Sequence, residues 1–126
     1  MTRPLIVLDT TVLVDLLRGS SDANAFRDAL DRQITCSEVT RAELLSGMRS
    51  AERGSTERLF SVIRWIPVDE GISRHAGSLG RRYRRSHAGI GAVDLIVAAT
   101  ALELNAPLAT VNVRRFPMFE DLRPPY

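Results

Sequence analysis

Residues 5–17 read Leu-Ile-Val-Leu-Asp-Thr-Thr-Val-Leu-Val-Asp-Leu-Leu. The four apolar residues Leu5 to Leu8 predict a strand buried on both faces of a parallel sheet. Asp9 stops that run. Where a central parallel strand meets a helix, a carboxylate points into the crevice at the carboxyl edge of the sheet, the place where open α/β folds bind ligands. Thr10 and Thr11 can start the helix, whose apolar face is Val12, Leu13, Leu16 and Leu17, with Asp15 on the other side. Asp9 is thus a candidate first ligand of an acidic metal site, and the plain alternative is an acid that only caps the helix.

The totals bound the possibilities. A chain of 126 residues, 44% apolar and 25% charged, suits one globular domain spanning 1–126 and excludes disorder and fibres. No run approaches the roughly 18 apolar residues of a membrane span, and the N-terminus lacks the features of a signal peptide. A cytoplasmic protein is expected. Cys36 is the single cysteine, so an internal disulfide and a cysteine-based zinc site are both excluded. Its apolar surroundings predict a packing role. A net charge of +2 cannot hold nucleic acid by itself. All 17 basic residues are arginine, which excludes Schiff-base chemistry and the phosphate-binding lysine of a Walker loop. Arg81, Arg82, Arg84 and Arg85 form the one dense basic cluster, either a solvated helix face or a grip on phosphates.

Taken in order, the chain alternates strands and helices, with no internal repeat or linker. A helix is predicted from about Asp22 to Asp31, a strand over Ile34 to Cys36, and a helix capped by Ser37 that runs to about Arg49 with Val39, Ala42, Leu45 and Met48 inward. Gly54 and Ser55 are expected to break the chain before a helix through Leu59, Phe60, Val62 and Ile63. Trp65 to Val68 reads as a third strand shortened by Pro67. From Asp69 to about Ser86, Ile72, Ala76, Leu79 and Tyr83 recur at spacings of helical period, with the arginines outside. Ala92 to Leu104 is apolar nearly all round and predicts a covered helix. Leu108 to Val111 forms a fourth strand, and a proline-rich tail wraps the surface. This alternation implies a three-layer α/β sandwich, a parallel sheet of four or five strands with helices on both faces.

Four polar positions fall at the carboxyl edge of such a sheet: Asp9, Glu43, Asp94 and Asn112. Glu43 follows Thr40 by three residues and could close a capping box. If its helix starts at Ser37, however, Glu43 lies past the first turn and shares a face with Thr40 and Gly47, whose missing side chain leaves room for a metal or phosphate. Asp94 could serve the helix dipole, yet a carboxylate at the base of an apolar helix needs a compensating charge, and no arginine lies nearby in sequence. Gathered acids repel unless a cation sits between them. Oxygen donors without His or Cys select Mg2+ or Mn2+ over zinc. His75 and His87 have no evident partner and are read as surface residues.

The strand ending Leu8-Asp9-Thr10-Thr11, the segment Thr40-Arg41-Ala42-Glu43-Leu44-Leu45-Ser46-Gly47, the run Asp94 to Ala101, and Thr110-Val111-Asn112-Val113 resemble the PIN-domain ribonucleases, above all the VapC toxins of bacterial toxin–antitoxin pairs. The likeness covers nearly the whole chain. It implies an endoribonuclease dependent on Mg2+ or Mn2+, with metal held by Asp9, Asp94 and Glu43, the last through a water or directly, and Asn112 at the fourth position. It also implies a homodimer, a higher toxin–antitoxin complex, and a VapB-like antitoxin that lays a peptide across the acidic groove. Arg114, Arg115 and Thr10 are candidate contacts to RNA. One departure stands out: many relatives carry an Asp just before a Phe here, where this chain has Arg115 before Phe116.

Two other readings use the same scaffold. A receiver-like phosphoacceptor domain also gathers acids around magnesium, but it resembles a pattern with paired acids after the first strand and a late lysine, whereas Thr10 follows Asp9 here and lysine is absent. A non-catalytic RNA- or protein-binding module would follow if Arg115 disables the site.

Overall fold

The computed structural model describes residues 3–126. Four parallel strands are β1 (Leu5–Leu8), β2 (Gln33–Ser37), β3 (Arg64–Ile66) and β4 (Leu108–Ala109), in the order β3-β2-β1-β4. Six α-helices accompany them: α1 (Thr10–Leu17), α2 (Ser21–Asp28), α3 (Glu38–Gly47), α4 (Arg53–Phe60), α5 (Glu70–Tyr83) and α6 (Ala92–Glu103). The expected three-layer arrangement is present, with four strands. Strand alternation sorts the side chains of β1 between its two sides. Ile6 and Leu8 join a cluster with Leu13, Leu16, Ala23, Cys36 and Leu59, so α1, α2 and α4 cover that face. Val7 points the other way, into a cluster with Ile72, Ala76, Leu79, Val97 and Phe116, beneath α5 and α6. The central strand therefore belongs to both cores. Among the described residues no helix is long and apolar enough to cross a membrane.

Helix starts follow the capping residues. Asp9, Ser20, Ser37 and Asp69 each accept a backbone N–H of the helix they precede. The ends differ more from expectation. Helix α2 stops at Asp28 rather than Asp31, α3 at Gly47 rather than Arg49, and α5 at Tyr83. Gly54 and Ser55 lie inside α4, and the break comes earlier, where a single 3-10 turn over Ser50–Glu52 precedes that helix. The third strand is shifted to Arg64–Ile66 because its register is set by pairing with Thr35 to Ser37. The fourth ends at Ala109, two residues short of Val111.

Helix α3 turns a different face inward from the one expected. Thr40 is fully buried and Val39 and Leu44 are half-buried against the two cores, whereas Ala42 and Leu45 are exposed. The helix lies across the edge of the sheet, in contact with both α1 and α6, so it buries a narrow strip. The Thr40 hydroxyl has no hydrogen-bond partner among the described residues. His75 also has a partner that local spacing did not reveal, Glu103 of α6 at 3.4 Å.

The tail carries the chain across the molecule. A 3-10 turn over Val113–Arg115 delivers Phe116 into the α5 and α6 core, where it is 1% exposed. Farther on, the Tyr126 hydroxyl donates to Asp15 Oδ2 at 2.7 Å and its ring lies 5.9 Å from Phe26.

Candidate active site

The carboxyl edge of the sheet opens into a crevice of about 480 Å³, and Asp9, Thr10, Glu43, Asp94, Asn112 and Arg115 all line it. Each reaches it by a local rule. Asp9 is the residue between β1 and α1, in extended conformation, 5% exposed, with its carboxylate turned back on the new helix. Glu43 sits mid-way along α3, on the side facing α1. Asp94 is in the first turn of α6, and Asn112 immediately precedes the final 3-10 turn.

Three threonines wire these positions together. One Asp9 oxygen accepts the Thr11 N–H and the other accepts the Thr110 hydroxyl, while the Thr110 oxygen accepts the Asn112 N–H at 3.0 Å. Thr11 Oγ1 accepts the Val111 N–H at 3.1 Å, and the Thr10 hydroxyl donates to Glu43. These contacts explain the short β4: past Ala109 the backbone bonds to threonine hydroxyls instead of a neighbouring strand. The sequence marks Thr11 as a helix start and Thr110 as part of the fourth motif, and neither as a residue that orients Asp9. The available signal was a threonine beside each sheet-edge residue, at positions 10 and 11 after Asp9 and at position 110 before Asn112.

Asp94 is the strained member. Its side chain is 15% exposed, and burial pushes its carboxyl above the ordinary carboxylate range, with the charges of Asp9 and Glu43 pushing the same way. The Gly91 N–H, donating at 3.1 Å, opposes that rise, as does the Arg115 guanidinium at 3.8 Å. The compensating arginine thus arrives from the tail, 21 residues away in sequence. Arg114, the neighbour paired with it in the sequence reading, is exposed and does not line the crevice.

Gly47 lies beside open space and lines a hollow together with Thr10 and Glu43. A side chain there would meet nothing within 4 Å, and the residue is the last of α3.

The donors fit a hard divalent cation. They are carboxylate and amide oxygens, the charges of Asp9 and Glu43 push the Asp94 carboxyl up when no cation lies between them, and none is sulfur or imidazole. Among the described residues no three His, Cys, Asp or Glu side chains close on one point, and Asp9, Glu43 and Asp94 line a crevice open to solvent. That openness suits Mg2+ or Mn2+ better than a closed structural metal.

Comparison with known proteins agrees with this fold. The PIN domain family model matches residues 6–120. The ribonuclease VapC19 of Mycobacterium tuberculosis is 48% identical over 123 residues, covering 95% of this chain and 98% of its own, and VapC10 of the same organism is 46% identical over 127 residues, covering 97% and 93%. Among solved structures, VapBC-1 of nontypeable Haemophilus influenzae superposes with a TM-score of 0.75 at 28% identity, covering 94% of this chain and 95% of that one. A toxin–antitoxin complex from Klebsiella pneumoniae has the same fold, with a TM-score of 0.83 at 24% identity and coverage of 96% and 98%. With residues 6–120 matched as a unit and near-half identity to named members over almost the full length, this chain belongs to the PIN domain family, among the VapC ribonucleases.

Proposed function

We propose that the protein is a Mg2+- or Mn2+-dependent endoribonuclease, the toxin of a type II toxin–antitoxin pair. The observation that carries the reading is the convergence of Asp9, Glu43 and Asp94, from three separate elements, on one open crevice. Asp9 and Asp94 would hold the metal, Glu43 would complete the site directly or through water, and Asn112 would offer an uncharged oxygen at the fourth position. A divalent ion held there would supply a more acidic water and would offset charge on the phosphate under attack.

The protein's own groups do the rest. Thr110 and the Thr11 N–H hold both Asp9 oxygens, so that carboxylate is oriented before any ligand arrives. Thr10 fixes Glu43 across the α1 and α3 boundary. Val93, Val97 and Phe116 form an apolar wall on one side of the crevice, which limits water beside the acids. Arg115 stands at the rim with half its side chain exposed, within reach of an RNA phosphate, and Arg114 extends the basic edge outward.

A VapB-like antitoxin is the partner in this proposal, by analogy with the antitoxin-bound structures the chain resembles, and the toxin itself is a homodimer acting on RNA in the cytoplasm. Light scattering should give twice the chain mass. The decisive experiment is cleavage of RNA with and without added Mn2+ by the parent and by Asp9→Asn. Metal-dependent cleavage lost in Asp9→Asn supports the proposal, and equal cleavage by both proteins removes it. The proximity of Arg115 to Asp94 favours one second reading, a binding module whose acids are already neutralised. That reading requires calorimetry to detect no Mg2+ or Mn2+ binding.

A further inference from the structure

Arg115 departs from the acid expected before Phe116, and the structure shows where its charge goes. Its Nη1 lies 3.8 Å from Asp94 Oδ2, beyond hydrogen-bond length but within ion-pair range, with its side chain 52% exposed. The crevice lining includes four carboxylates, Asp9, Asp15, Glu43 and Asp94, against two guanidinium groups, Arg18 and Arg115. Two negative charges remain, which one divalent ion cancels. A second divalent ion would leave the lining as positive as it is now negative.

We propose that Arg115 is a built-in second cation: the site takes one divalent ion, and the Arg115 guanidinium serves the substrate phosphate where a second ion would otherwise sit. This deepens the nuclease reading and rests on it. The contact to Asp94 is loose and involves one nitrogen of a group with five N–H donors, and with the side chain 52% exposed the guanidinium can offer paired donors to phosphate oxygens. Arg115 is also well placed to turn. It closes a 3-10 turn whose following residue, Phe116, is anchored in the core, so the backbone stays fixed while the side chain moves between carboxylate and phosphate.

The test is titration of the full-length chain with Mn2+ by calorimetry, with bound Mn2+ counted by electron paramagnetic resonance. The parent is expected to bind one ion. Arg115→Asp is expected to bind two, the first roughly tenfold tighter or more, because a nearby positive charge has become negative. Arg115→Lys keeps the charge and should stay at one ion, with a raised KM for RNA because the paired donors are lost. Circular dichroism checks folding. If Arg115→Asp does not fold, Arg115→Ala replaces it, and it is expected to bind its ion more tightly while KM rises. Two ions on the parent overturn the inference, as does an Arg115→Asp or Arg115→Ala protein that matches the parent in both affinity and ion count. If RNA cleavage persists in that case, the nuclease reading survives. Absence of Mn2+ binding by every form overturns both.

Discussion

Asp94 bears a charge that its surroundings disfavour, and this gives a pH signature. Its carboxyl titrates higher in the folded chain than in the unfolded one, so the metal-free fold is helped by protonation, and that help is lost as pH rises through the elevated value. The metal-free melting temperature of Asp94→Asn should therefore exceed that of the parent by a margin that widens as pH rises through this range. Mn2+ affinity of the parent should fall as pH drops through it, because the ion requires the carboxylate. Thr110→Val removes a donor to Asp9 and should cost about 10- to 100-fold in metal affinity or cleavage rate, by analogy with other residues that orient metal ligands. Cys36 contrasts with both. Burial pushes its thiol up to about 12, so it stays neutral and shielded. Alkylation of Cys36 in native buffer should proceed only as fast as the chain opens. Because the folded pKa is raised, that stabilisation is complete below the thiol's ordinary 9.0 and disappears as pH passes about 12.

Among the elements, β1 and α1 could be read directly, because a fully buried strand and an amphipathic helix each impose a period and Asp9 lies where the two periods meet. Helix α6 was equally legible from its continuous apolar surface. Helix α3 was misread because the apolar side chains Ala42 and Leu45 were assigned to a core, whereas the helix covers an edge and buries Thr40 instead. Thr40→Val should accordingly be neutral or stabilising by about 1 kcal/mol, since a buried hydroxyl without a partner is penalised. Chemical denaturation measures that difference. The tail had no period to read, so neither the Arg115–Asp94 contact nor the pin at Tyr126 could be anticipated. The two tail anchors should differ sharply in denaturation. Phe116→Ala opens a cavity in the core and should cost about 3–5 kcal/mol, while Tyr126→Phe loses one exposed hydrogen bond worth about 1 kcal/mol or less.

In the molecule as a whole, the site is assembled by the sheet edge rather than by any one segment, so the acids are legible in the sequence while their wiring is not. Asp9 stands out by its chemistry at the end of an apolar strand and Asn112 by its place after the fourth strand, whereas threonines that bond across 100 residues have no local signature. A ligand that joins separate elements must stabilise the fold. Saturation with Mn2+ at a hundred times its dissociation constant should add about 2.7 kcal/mol, seen as a rise in melting temperature that Asp9→Asn abolishes.

The late position of Thr110 has a further consequence for a chain that cuts RNA. During synthesis, β1, α1 and α3 emerge well before β4, and until residues 108–112 dock beside β1 the Asp9 carboxylate lacks its Thr110 donor and Asn112 is absent from the edge. On the proposed mechanism, a partly translated copy should therefore cleave no RNA until that strand docks.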